Sequence, residues 1–478
     1  MYINYFLYQK GLQCPKLFYL TAQNNKPHSS DSLLHHYTHE YIKPYVKVEE
    51  ENDEEAFIKT QALLRDSDAS ICNATFIYMN CKATICSVKQ SEEGLILYIP
   101  KGNTKLKKEY KQQADFLYYV ITNAGYKIKS IYILTINSSY IRYGSVDPRL
   151  LFTFHDVTMD ALDNQESVQA KVQELTALLS DQMIEVELST NCLQGNGCMF
   201  RDTCFDHLVE HNIFDVGGLS KTTALEYYKQ NIISYQDMID YHVPLNPKQI
   251  NQIVSYINQE PPSINERRVN YFLDQLYYPL YFLDFETFQL SVPEYEGCHP
   301  YQSIPFQYSL DYIEEEGGEI KHKDFLGDGI HDPRYELAKH LCADIPADAC
   351  IIAYNNTLEK SVIMQCAILF EEFRDHLLEL YPHVYDLQIP FMNGDYYHRD
   401  MHGSYSLKSV LPALCPELSY SDLDEIHHGT EAMFGYLHLA KQTLEEQVET
   451  RKNLLNYCNL DTYAMVKVLE KLKKDLGR

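Results

Sequence analysis

The 478-residue sequence predicts an α/β protein of more than one domain, and three observations carry that expectation. A chain this long exceeds what one ordinary core holds. Its strand-like and helix-like stretches alternate along most of its length. From about residue 269 the order is legible: three strands around a glycine turn at Gly317-Gly318, then helix, strand, helix, strand and further helices.

Composition sets limits. Hydrophobic residues make up 45% of the chain, as in folded globular proteins, and no apolar run reaches the roughly 20 residues that span a bilayer. The N-terminus lacks the basic start and apolar centre of a signal peptide, so a cytoplasmic protein with no membrane partner is expected. The 13 cysteines then read as thiols or metal ligands rather than a disulfide framework. A formal net charge of −26 argues against a protein that coats polyanions, while leaving room for a local basic groove.

Taken in order, residues 1–205 read as a mixed α/β domain. Helices are expected at the start of the chain, around Cys14, and over 32–45, 110–123 and 167–182; strands over 74–79, 83–88, 95–99 and 128–134. Lys101, Lys105, Lys107, Lys108 and Lys111 form the densest basic run in an acidic chain, and as a group they point to phosphate contact. Cys192, Cys198 and Cys204 are each separated by five residues, with Gly195 and Gly197 between the first two. Glycines let the backbone curl thiolates onto one centre, with Cys14 as the fourth ligand; four thiolates suit zinc or an iron–sulfur cluster. Residues 206–268 read as a small helical linker, with short helices over 235–241 and 248–257, closed by Pro261-Pro262.

Residues 269–478 hold the chemistry. The aromatic run 280–288 ends in Asp284 and Glu286, two apart and hence on one strand face. Paired acids there call for a hard cation such as a divalent metal. Strands are expected over 304–313, 319–325, 349–354 and 384–389, and a long last helix over 444–476. Three antiparallel strands followed by α-β-α-β-α is the order of a ribonuclease-H-like fold with a mixed sheet. In it the ends of the first and fourth strands converge with the last helix. Acids stand at all three places: Asp284/Glu286, then Glu359 in the first turn after an N-cap at Thr357, and Asp461, four residues after Tyr457 on the same helix face. Asp386 is the fallback ligand.

With those motifs in view, the region from Tyr278 onward resembles the DnaQ-like 3′→5′ exonucleases of the DEDD superfamily, in the tyrosine-bearing branch. Asp284/Glu286 and Tyr457/Asp461 match its first and third motifs. In the second, Glu359 stands where most members have Asp, and Leu358 where Phe is common. The resemblance implies two Mg²⁺ or Mn²⁺ ions held by Asp284, Glu286, Glu359 and Asp461, with Tyr457 orienting water and single-stranded DNA or RNA as substrate. The segment Gly403-Ser-Tyr-Ser-Leu-Lys-Ser-Val is similar to an inter-motif loop, which would bring Gly403 and Lys408 to the strand.

Whole-chain order resembles a bacterial family in which such an exonuclease follows a RecB-like nuclease domain of the PD-(D/E)XK class. That class also implies a [4Fe–4S] cluster on Cys14, Cys192, Cys198 and Cys204, with zinc the alternative, although the cysteine spacing differs from the common one. Its Glu-x-Lys triplet falls at Ile99-Pro100-Lys101 and its preceding acid near Thr84, so the domain is expected to be degenerate and to bind without cutting. The contrasting expectation is a non-catalytic binding or assembly subunit that keeps both nuclease folds as scaffold.

Overall fold

The computed structural model describes residues 1–24, 32–66, 68–179, 184–193, 198–423 and 425–478. They form a mixed α/β structure that divides into two compact units: Met1–His207 with Leu290–Gln302, and Leu208–Gln289 with Ser303–Arg478. Among the described residues no helix is long and apolar enough to cross a membrane.

The first unit is built on one six-stranded sheet, β1 (Tyr45–Lys47), β2 (Ser70–Tyr78), β3 (Cys81–Ser91), β4 (Gly94–Lys101), β5 (Ile128–Ile136) and β6 (Phe152–Asp156), in chain order across the sheet. β2, β3 and β4 pair antiparallel, whereas β4 and β5 run parallel through helix Lys108–Asn123. A parallel pair needs such a crossover. The helix buries Ala114, Phe116, Leu117, Val120 and Ile121 in the same core as Phe76, Ile85, Leu97 and Ile133.

Two local expectations change here. The helix expected over 32–45 ends at Tyr41, because Pro44 cannot continue it and Tyr45 instead pairs with Ser70. Residues 290–302 belong to this unit: Arg142 N donates to Cys298 O at 3.0 Å, Gly297 N to Arg142 O at 2.9 Å, and Val292 is buried with Leu34 and Tyr140.

The second unit holds a five-stranded sheet of β8 (Leu280–Phe288), β9 (Ile304–Ile313), β10 (Lys321–Leu326), β11 (Cys350–Ala353) and β12 (Val384–Asp386), ordered β10-β9-β8-β11-β12. β8, β9 and β10 form an antiparallel meander; β11 lies parallel to both β8 and β12. Alternation along β8 sorts the two faces. Tyr281, Leu283 and Phe285 pack against Leu337, Leu341, Val362 and Ile363 of helices Arg334–Asp344 and Thr357–Leu369. Leu280 and Phe282 pack against Val410, Met465, Leu469 and Leu472, on helix Leu407–Leu414 and the last helix, Leu444–Asp475. Asp284 and Glu286 continue this second row.

The helical segment expected as a linker packs within this unit. A short strand β7 (Ser263–Ile264) pairs with β13 (Tyr396–Tyr397). Helices Lys221–Tyr228, Tyr235–Asp240 and Pro247–Ile257 start on Ser220, Ser234 and Asn246, whose side chains accept backbone amides. Gln252 joins them to the loop before helix Leu407–Leu414. Its Oε1 accepts from Gly217 N at 2.9 Å, and a Cβ on Gly403 would lie 2.3 Å from it.

Candidate functional site

Asp284, Glu286 and Asp461 each place a carboxylate oxygen within 4.8 Å of the other two, the one such group of three metal-type ligands among the described residues. β8 brings the first two and the last helix the third. Three acids so close, Glu286 buried and Asp284 and Asp461 half-buried, repel one another unless a cation joins them. Burial, then Asp461, Glu286 and Glu359, pushes the Asp284 carboxyl well above its ordinary range. Burial and Asp461 push Glu286 up to about 8.

Glu359 stands beside this group. It is 2% exposed, and burial followed by Asp386 pushes its carboxyl up to about 8. Its Oε2 is buried without a hydrogen-bond partner. An orphaned carboxylate oxygen next to three more carboxylates is a donor set that suits a hard divalent cation. Asp386, the fallback ligand, accepts the backbone amides of Asn355 and Gln388 on its Oδ1, both at 2.9 Å. One local correction belongs here. Thr357 is the first helical residue rather than the cap; the N-cap is Asn356, which instead donates to Val384 O at 2.9 Å.

Around the acids lies an aromatic and basic layer. Tyr457 is buried one turn before Asp461. Tyr420, on a short turn, donates from its hydroxyl to Asp461 Oδ1 at 2.5 Å, and its ring centre is 6.4 Å from that of Tyr457. The Lys408 ammonium stands 5.1 Å from the Tyr420 ring centre and 5.5 Å from that of Tyr457, and donates to His427 O at 2.6 Å. Its charge favours ionised Glu286 and Asp461, opposing the burial that pushes Asp461 up to about 6. The Cys458 thiol donates to Asp284 Oδ2 at 3.5 Å. Gly429, opening helix Gly429–His438, brings backbone so close that a Cβ there would lie 3.4 Å from Glu286 Oε2.

Residues 281–406 match the family model of a domain of unknown function, DUF2779. No curated protein matches the chain, and no solved structure does. The matched segment carries Asp284, Glu286, Glu359 and Asp386, and stops before Lys408, Tyr420, Tyr457 and Asp461.

Sequence reasoning missed Tyr420 and Gly429. Tyr420 belongs to no periodic pattern, and its hydroxyl meets Asp461 across 41 residues of chain. Gly429 left a faint signal, a glycine opening a helix, where glycine more often closes one. Gly403, by contrast, is explained by packing. Its φ of +73° and the nearness of Gln252 leave no room for a side chain, and its amide donates to Tyr397 Oη at 3.2 Å.

In the first unit, Cys14, Cys192, Cys198 and Cys204 line one cavity of about 440 Å³ together with Lys10, Lys16, Leu17 and Met199. Ser189 N donates to Cys192 Sγ at 3.4 Å, and Asn191 ties this turn to Gln13 O at 2.8 Å. Burial pushes the Cys204 thiol up, with the other three cysteines adding to the effect and Lys16 opposing it. No three of these sulfurs lie within 4.8 Å of one another. Four thiols around one cavity are a donor set that suits zinc or an iron–sulfur cluster. Gly195 and Gly197 lie outside the described residues.

A second cavity of the first unit, about 540 Å³, brings together Thr84, Ile99 and Lys101 with Glu109, Tyr110 and Gln113. Lys101 ends β4 with its ammonium 5.0 Å from the Tyr110 ring centre, and burial pulls it down to about 8. Lys105, Lys107 and Lys108 are exposed, and Lys107 lies 3.8 Å from Glu109. No carboxylate stands at Thr84 or Ile99.

Proposed function

We propose that the second unit is a ribonuclease-H-like, DnaQ-like 3′→5′ exonuclease of the tyrosine-bearing DEDD type, which hydrolyses single-stranded nucleic acid to nucleoside 5′-monophosphates. The observation that carries this reading is the meeting of Asp284, Glu286 and Asp461 within 4.8 Å, with the unpartnered Glu359 Oε2 beside them. Divalent Mg²⁺ or Mn²⁺ held by these four carboxylates would supply Lewis-acid activation of water and charge neutralisation at the scissile phosphate.

The chain's own residues do the rest. Asp284 and Glu286 on a rigid strand, and Asp461 on a long helix, fix the donor oxygens before substrate arrives, which preorganises the site. Tyr457 presents a hydroxyl from the turn before Asp461, where it can orient the attacking water. Lys408 adds a fixed positive charge against the cluster.

The first unit is then a degenerate PD-(D/E)XK domain. With Thr84 and Ile99 in place of acids, Glu109 is left as the carboxylate that lines the cavity with Lys101, and the domain serves to hold the strand. The four-cysteine cavity supports a structural [4Fe–4S] centre, with zinc the alternative. A non-catalytic binding subunit is the second reading, favoured by Glu359 lying outside the closest group of three acids.

The test is degradation of 3′-end-tracked single-stranded DNA and RNA with Mn²⁺, comparing the full chain with Asp284→Ala and Asp461→Ala. Release of 5′-mononucleotides by the wild type alone is expected. Equal degradation by Asp284→Ala, or none by the wild type with any divalent cation, overturns the exonuclease.

A further inference from the structure

We infer that Tyr420 is a positioning residue of the carboxylate cluster: its hydroxyl holds Asp461 in the orientation in which it binds a cation, and its ring, paired with that of Tyr457, seats the Lys408 ammonium. This rests on the metal-binding reading of the cluster and adds to it a residue that neither the motif spacing nor the DUF2779 match contains.

The geometry is specific. A carboxylate on a helix can rotate about its terminal bond, and the mutual repulsion of Asp284, Glu286 and Asp461 would favour turning one of them away. Tyr420 Oη donates to Asp461 Oδ1 at 2.5 Å, which commits that oxygen and fixes the plane of the carboxylate. The same ring faces Lys408 at 5.1 Å while Tyr457 faces it at 5.5 Å. A lysine held over two neighbouring aromatic rings loses its freedom to swing away. One further bond, to His427 O at 2.6 Å, ties it to the backbone just before Gly429, whose main chain approaches Glu286. Tyr420 therefore reaches the acids twice, directly through Asp461 and indirectly through the cation that faces Glu286 and Asp461.

Two contrary roles predict opposite signs. If the Tyr420 hydroxyl merely occupied an oxygen that a cation needs, its removal would tighten cation binding. As a positioning residue, its removal loosens it.

The experiment is calorimetric titration of the full chain with Mn²⁺ alone, in wild type, Tyr420→Phe and Lys408→Met, alongside melting in EDTA. Tyr420→Phe keeps the ring and hence the lysine seat; it should weaken Mn²⁺ binding about tenfold, in line with the loss of a hydrogen bond that orients a ligand. Its melting temperature in EDTA should stay within about 2 °C of wild type, because the loss is felt by the bound cation and not by the fold. Lys408→Met should leave the Tyr420→Phe effect in place when the two are combined. Unchanged or tighter Mn²⁺ binding by Tyr420→Phe overturns the inference while leaving the metal site standing. A drop in EDTA melting with no change in Mn²⁺ affinity also overturns it, as the hydroxyl would then be only structural. Wild type that takes up no Mn²⁺ overturns the metal site and this inference together.

Discussion

His322 Nδ1 lies 2.8 Å from Asp311 Oδ1, and its Nε2 lies 3.4 Å from Asp324 Oδ2. Only the imidazolium, with two N–H groups, satisfies both carboxylates. The hydrogen bond to Asp311, then that to Asp324, accordingly pushes the imidazole up to about 9. Asp311 is 2% exposed and also accepts from Thr462 on the last helix at 3.0 Å, so the pair helps join β9 to that helix.

The sign follows from linkage. The folded pKa lies above the unfolded one, so the pair's contribution is fully present below about 6.5 and is lost as pH rises toward 9. Partial exposure of the ring screens it, leaving about 1–2 kcal/mol. Urea unfolding at pH 6 and pH 9.5 should show the wild type losing that much more stability than His322→Gln. Parallel losses in both proteins would remove His322 from the explanation.

Glu359 should cost stability when no cation is present. A buried carboxyl with an oxygen that lacks a partner is destabilising, and an amide in its place carries no charge. Glu359→Gln is expected to melt higher than wild type in EDTA, by roughly 1–3 kcal/mol. Saturating Mn²⁺ should then raise the wild type far more than the variant, since a ligand at about 100 times its Kd adds about 2.7 kcal/mol. Identical Mn²⁺ responses would show that Glu359 is not a ligand.

The four cysteines should hold one metal centre. Protein purified without oxygen is expected to be brown, with iron and sulfide in comparable amounts. Cys198→Ser or Cys204→Ser should bleach it and lower its melting temperature, because the centre ties the first helix to residues nearly two hundred positions away. Colourless protein with a single zinc would favour that metal, and metal-free protein would refute both.

The exposed lysines of the first unit should act on binding rather than cutting. Changing Lys105, Lys107 and Lys108 to Glu is expected to weaken single-strand binding and to reduce the slope of log affinity against log salt by about 2. Trimming of very short strands should continue at near the wild-type rate. Unaltered affinity at low salt would leave these lysines as plain surface.

What the sequence determined by itself is the part ruled by short-range regularities. Alternation along 280–288 put Asp284 and Glu286 on one face, and the four-residue step from Tyr457 to Asp461 put both on one side of a helix. The glycine turn at Gly317-Gly318 and the buried apolar strands foretold the order of elements in the second unit, because strand period and turn chemistry are local. The convergence of Cys14 with Cys192, Cys198 and Cys204 on one cavity was legible from residue type and spacing.

Tertiary structure decided what depends on contacts between distant segments. Residues 290–302 join the first unit through Arg142, and the helices after 208 join the second through Gln252 and the β7–β13 pair. No local pattern encodes either choice. Tyr420 reaches Asp461 across 41 residues from a turn with no motif, and Gly429 reaches Glu286 from a helix start. Asn356 rather than Thr357 holds the N-cap position, and Asp386 Oδ1 accepts two backbone amides while Glu359 Oε2 is left without a partner. A carboxylate's availability depends on which donors surround it once the chain has folded, and a sequence names the acids without naming those donors.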